Sequence, residues 1–321
     1  MRVAVKVPDR IPVVLDCDPG LDDAVALALL AASPEFELLG VTTVAGNVSV
    51  TQATQNAGAL LELLDLPVGL PLHAGYVGPL GRYQRQPDEP IHGPGGMGEI
   101  DLPAPREADP GHAADWLADT LRQYQGSVTI VAIGPLTNVA GLLLTHPDVA
   151  PRIGRVVAMG GAAYVPGNVT ATAEFNIHAD PEAARFVAES GVPLTIVPLD
   201  VTRRALVTSE DIEQLRAAGG VAALAADMLA YLMRGFSSRH GIAACAVHDA
   251  LAIAALLDPE MMEWEQAGIT VECAGEFTRG TLIVDPQRRI DCAGPASVAT
   301  GIDAEAFRTL LLNRLMTPTP Y

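Results

Sequence analysis

Lysine is all but missing from this chain. Lys6 is the only one, and Lys plus Arg total 20 against 38 Asp plus Glu. The formal charge of −18 at pH 7 makes nucleic acid and anionic membrane surfaces poor partners. Cysteine is equally sparse: Cys17, Cys245, Cys273 and Cys292 are scattered, with no C-x-x-C pair. That spacing argues against a zinc ribbon or a disulfide scaffold and fits a reduced, cytoplasmic setting. Long hydrophobic runs are absent too. The first fifteen residues carry Lys6, Asp9, Arg10 and two prolines, so no secretory core can be drawn there. The apolar stretch near 221–233 is broken by Asp227 and is too short to span a bilayer. No Walker-type loop and no G-x-S-x-G elbow occur, which removes the usual grounds for phosphate handling or a serine nucleophile.

What is present points to a well-buried enzyme, with 49% hydrophobic and 18% charged residues over 321 positions. Apolar runs at 11–16, 38–43, 128–133, 155–159 and 194–198 read as strands. Helical patterns near 22–32, 50–64, 112–125, 135–146 and 180–190 lie between them. Continuous apolar strands, each followed by a helix, imply an open, doubly wound α/β fold. Its mainly parallel sheet is flanked by helices, with ligands at the carboxyl ends of the strands. Residues 71–110, rich in Pro and Gly, read as a long loop region, and 74–90 as a candidate lid. From 208 to 257 the chain reads as helical, and 265–295 as short strands on an accessory edge. No linker divides the chain, so 1–321 is expected to be a single domain.

The stretch "VVLDCDPGLDDAVAL" (13–27) places Asp16, Asp18, Asp22 and Asp23 within eight positions, where a strand turns into a helix. Helix capping accounts for Asp22 or Asp23 singly, but one helix start cannot use four carboxylates. Pro19-Gly20 forces a tight turn that folds Asp18 back toward the other two. A hard divalent cation relieves the repulsion, and a set of carboxylates and carbonyls suits Ca²⁺. No thiolate or histidine pair lies nearby for zinc.

"DCDPGLDDAVAL" resembles the N-terminal signature of the inosine-uridine preferring nucleoside hydrolase family. Further pieces follow in the same order: "TTVAGNV" (42–48), "IHGPGGMG" (91–98), "IGPLTNVA" (133–140), "GNVTATAEFNIHADPEAA" (167–184) and "AVHDA" (246–250). The resemblance implies hydrolysis of the N-glycosidic bond of ribonucleosides in a homo-oligomer, with Ca²⁺ held by Asp18, Asp23, Asp249 and the main-chain carbonyl of Ile133. Many relatives carry Thr at the position of Ile133, a change that a backbone ligand tolerates. It further implies that Asp18 is the general base toward a calcium-bound water. The metal, with Asp22, Asn47, Asn168, Glu174 and Asn176, would grip the ribose. Glu174 and Asn176 alternate, so an extended segment would turn both to one face and Phe175 to the other. Phe175 is counted with the substrate-binding residues.

The departing base needs a proton or hydrogen bonds, and His248, beside Asp249, is the candidate donor. His92 is assigned to the sugar or to closing the site, and Tyr231, Arg239 and His240 to the nucleobase. His240 stands where some relatives carry Tyr, so the choice between pyrimidine and purine stays open. Two rivals remain. A haloacid-dehalogenase-type phosphohydrolase shares the D-x-D motif but calls for a lysine in the body of the fold, and only Lys6 exists. A non-catalytic nucleoside or ribose sensor on the same scaffold would lose the base or metal ligands, all of which are present here.

Overall fold

The computed structural model describes residues 10–81, 91–290 and 295–317, excluding the side chains at 239, 240 and 295. The chain opens with β1 (Ile11–Cys17), α1 (Leu21–Ala31), β2 (Phe36–Thr43), α2 (Val50–Leu63) and the short β3 (Leu72–Ala74). After the long loop come α3 (Ala113–Gln123), β4 (Val128–Ala132), α4 (Thr137–Thr145) and β5 (Ile153–Met159). Two short helices, α5 (Phe175–Ala179) and α6 (Pro181–Glu189), lead to β6 (Leu194–Val197), α7 (Leu199–Thr202) and β7 (Leu206–Thr208). The last third holds α8 (Ser209–Ala218), α9 (Gly220–His240), β8 (Ala244–Ala246), α10 (Ala250–Leu257), β9 (Met262–Val271), β10 (Leu282–Asp285), β11 (Pro295–Ile302) and α11 (Ala304–Leu315).

Among the described residues nine strands form one sheet in the order β10-β9-β11-β6-β5-β4-β1-β2-β3. From β3 to β11 every neighbouring pair is parallel, and β9 pairs antiparallel with both β11 and β10. Strand order reverses at β1, which lies between β2 and β4. This is the switch point where an open α/β sheet gathers ligands. Val13, Val14 and Leu15 are wholly buried, as expected for a central strand covered on both faces. Each such side chain contributes about 1.5–3 kcal/mol relative to an exposed one. All eleven residues of α1 are buried, its two aspartates included.

The doubly wound expectation holds, and the strands and helices expected before residue 200 fall within a few residues of those observed. Three details differ. The loop region 71–110 contains β3, and the helical stretch 208–257 is interrupted by β8, which pairs with β7 in a separate two-stranded sheet. The expected accessory strands instead extend the main sheet, with β9 running ten residues. Its polar side chains at Glu263, Glu265 and Gln266 hid a long strand that is buried at Met262 and again from Ala267 to Ile269. Of the candidate lid, residues 82–90 lie outside the described residues. Among the described residues no helix is long and apolar enough to cross a membrane.

Candidate active site

Four strand-to-helix loops carry the candidate residues. Asp18 follows β1, Asn47 follows β2, Ile133 follows β4, and Asp249 follows β8 at the head of α10. Asp22, Asp23 and Asp249 each present a carboxylate oxygen within 4.8 Å of the others. Asp23 also caps the turn. Its Oδ1 accepts the Asp18 N–H (3.2 Å), and its Oδ2 accepts the Gly20 N–H (2.9 Å) and the Asn47 amide (3.3 Å). The bland helix-capping reading is therefore true of Asp23, alongside its place in the cluster.

Asp18 is fully buried, with Oδ2 accepting the Asn47 N–H at 2.5 Å and Oδ1 lacking a hydrogen-bond partner. A Cβ on Gly46 would lie 2.0 Å from Asp18 Oδ2, and one on Gly134 2.7 Å from Oδ1. Glycine at both positions is what lets the carboxylate fit. Asp22 Oδ1 is likewise buried without a partner. Burial first, then the neighbouring carboxylates, pushes Asp18, Asp23 and Asp249 above the ordinary carboxylate range. A buried, all-oxygen donor set with unpartnered acceptors and strained ionisation fits a hard divalent cation. Asp16, the fourth acid of the motif, is satisfied differently. Thr42 Oγ1 and Asn138 Nδ2 both donate to its Oδ1 at 2.6 Å, and burial leaves its pKa raised to about 6.

The ribose candidates converge on the same place by a route the sequence pattern did not show. Glu174 is extended, but Phe175 and Asn176 already lie in the first turn of α5. Glu174 caps α5, accepting the N–H groups of Asn176 (2.9 Å) and Ile177 (3.1 Å), and also that of Gly161 (2.9 Å). A cap that satisfies three backbone donors outweighs the strand reading. Asn176 Nδ2 donates to Ile133 O (2.7 Å) and Met159 O (3.0 Å), which ties α5 to the ends of β4 and β5. The Ile133 carbonyl keeps a second lone pair. Asn168 is exposed, and its Oδ1 accepts the Phe175 N–H at 2.9 Å, closing the 168–175 loop; Phe175 itself is half-buried.

On the opposite side His92 Nδ1 accepts the Leu21 N–H at 3.2 Å, so the ring's proton resides on Nε2. The same Nδ1 lies 3.6 Å from Asp22. Tyr231 packs on the glycine loop, since a Cβ on Gly93 would lie 2.4 Å from its hydroxyl, and Arg234 lies over its ring at 4.8 Å. The side chains of Arg239 and His240 lie outside the described residues. His248 is partly exposed. Burial lowers its pKa from the ordinary histidine value, Asp22 opposes that shift, and Arg203 and His92 add to it.

Helix α7 was not foreseen as functional, yet it braces both sides. Asp200 accepts the N–H groups of Ala163 (2.8 Å) and Tyr164 (2.9 Å). Arg203, just beyond the helix, donates to Pro166 O (2.7 Å) and Gly167 O (2.8 Å), holding the loop that presents Asn168. Thr202 Oγ1 lies 2.7 Å from His248 Nδ1. The available signal was position alone: "LDVT" directly follows a parallel strand at its carboxyl end.

Residues 13–309 match the sequence profile described as inosine-uridine preferring nucleoside hydrolase. The pyrimidine-specific ribonucleoside hydrolase RihA of a Shewanella species (strain ANA-3) is 41% identical over 312 residues, covering 96% of this chain and 97% of its own. Among solved structures, the plant nucleoside hydrolase PpNRh1 superposes with a TM-score of 0.91 at 30% identity, over 97% of this chain and 100% of its own. The purine-preferring ribonucleoside hydrolase from Gardnerella vaginalis gives 0.89 at 33% identity, over 95% and 98%. With a buried acidic cluster at the switch point of the sheet and similarity along nearly its whole length, this chain belongs to the inosine-uridine preferring nucleoside hydrolase family and hydrolyses the N-glycosidic bond of ribonucleosides.

Proposed function

We propose that the enzyme is a calcium-dependent ribonucleoside hydrolase in which Asp18 is the general base and His248 assists the departing base. The observation that carries this reading is the convergence of buried, under-partnered carboxylates after β1 with Asp249 and its neighbour His248 after β8. Asp18, Asp23, Asp249 and the Ile133 carbonyl would hold the ion. Calcium, when bound there, supplies positive charge that acidifies a water and orients the ribose 2′- and 3′-hydroxyls.

The chain's own residues do the rest. Asp18 takes a proton from the attacking water as its oxygen bonds to the anomeric carbon. The C–N bond breaks with its electrons passing to the base, and His248 meets the negative charge that develops there with a hydrogen bond. Asp22, Asn47, Asn168, Glu174 and Asn176 bind the ribose, and the carboxylates face the positive charge that develops on the sugar. Phe175, His92, Tyr231, Arg239 and His240 complete the substrate contacts around sugar and base.

The higher identity to the pyrimidine-specific relative than to the purine-preferring one supports uridine and cytidine as preferred substrates. The unbroken sheet from β10 to β3 supports treating residues 1–321 as one domain. A cytoplasmic homo-oligomer completes the reading, supported by the family resemblance. Ribose release measured across uridine, cytidine, inosine, adenosine and guanosine tests the preference: uridine and cytidine should lead, and a lead for inosine would overturn the pyrimidine assignment. No release from any, with calcium still bound tightly, would instead support a sensor.

A further inference from the structure

Thr202 is fully buried at the end of α7, and its backbone N–H bonds to Pro198 O at 3.1 Å. Among the described residues its hydroxyl has one hydrogen-bond partner, His248 Nδ1 at 2.7 Å, and His248 Nε2 has none. A hydroxyl carries one proton to give, and a buried donor left without an acceptor is costly. If Nδ1 carried the imidazole proton, Thr202 would accept it and its own O–H would be unpaired. If Thr202 donates, both groups are satisfied and the single imidazole proton sits on Nε2, the nitrogen left free to meet a ligand.

We propose that Thr202 is a positioning residue that locks neutral His248 in its Nε2–H tautomer, so that Nε2–H is aimed as a hydrogen-bond donor at the departing nucleobase. The inference rests on the leaving-group reading of His248 and extends it. Thr202 itself touches no substrate. It acts through the ring it orients, as outer partners of functional histidines do.

The test compares nucleosides with p-nitrophenyl riboside, whose leaving group needs no proton, in calcium-loaded enzyme. Thr202→Val should slow uridine or inosine turnover about 10–100-fold while leaving p-nitrophenyl riboside near the wild-type rate. Thr202→Ser, which keeps the hydroxyl, should retain nucleoside activity. Unchanged nucleoside turnover in Thr202→Val, or equal loss on both substrates, would overturn the proposal. His248→Ala separates the two layers. If it slows both substrates equally, the leaving-group reading itself fails. If it spares only p-nitrophenyl riboside while Thr202→Val spares nucleosides as well, only the Thr202 inference fails. ¹⁵N shifts of labelled histidine in the wild-type enzyme give an answer independent of any folding defect, with the His248 signals assigned from the His248→Ala spectrum. Protonated Nε2 and bare Nδ1 are expected, and protonated Nδ1 would contradict the proposal.

Discussion

Around the acidic cluster nearly every group is fixed by backbone. Asp23 is held by two main-chain N–H groups, Asp18 by one, Glu174 by three, and Asn176 by two carbonyls from different strands. The opposite side is held by side-chain packing. Tyr231 rests on glycines of the 93–98 loop and under Arg234, which itself reaches out to Glu99 on the surface. The first region can hold ionised oxygens in place before substrate arrives, which is what charge stabilisation requires. The second can change partners through a few side chains without disturbing the sheet, which suits a surface that must tell one base from another. On the proposed reading, reaction class and substrate choice are built into different parts of the molecule, by different forces.

That contrast makes substitutions near the cluster costly and those near Tyr231 mild. Asp18→Asn should lower kcat by about 10³-fold or more with the fold retained, because the base is lost with little change in volume. A wild-type kcat alongside a normal circular dichroism spectrum would remove Asp18 from that role. Replacing ribonucleosides by 2′-deoxyribonucleosides should cost on the order of 10³-fold in kcat/KM, because a site built to bond hydroxyls is left with unpaired groups. Comparable rates on both would dissolve the ribose assignments of Asp22, Asn47, Asn168, Glu174 and Asn176.

Gly46→Ala probes how tightly the first region is built. Its methyl would lie 2.0 Å from Asp18 Oδ2, so the carboxylate must move. A loss of about 10²-fold in kcat is expected from misplacement of that size. Full activity would mean that the Asp18 setting is looser than its packing suggests. On the mild side, Tyr231→Phe should change kcat/KM less than about tenfold, as one hydrogen bond is worth, yet alter the ratio of uridine to inosine turnover. An unchanged ratio would take Tyr231 out of the base contacts.

The same divide decided what could be read from the sequence. Four aspartates in eight residues around Pro19-Gly20 announced the cluster, because repulsion at that density has few remedies. Continuous apolar strands announced the parallel sheet, and with it the edge where the loops meet. Asp16 was less legible, since its donors Thr42 and Asn138 come from 26 and 122 residues away. Glu174 and Asn176 looked like alternating strand positions because a two-residue spacing does not reveal a cap. Thr202 carried no signal beyond its place just after a parallel strand. Its meaning comes only from His248, 46 residues downstream. The base side stayed open because the identities of exposed loop residues do not dictate where they point.

The central claim is that the buried carboxylates work as a calcium-loaded pair of ligand set and base. Ribose release from uridine, followed with calcium, after exhaustive chelation, and after calcium is returned, addresses it most directly. Activity should vanish on chelation and return with calcium. Undiminished release from the chelated enzyme would contradict the account, since Asp18, Asp23 and Asp249 would then be performing the reaction without the ion they are proposed to hold.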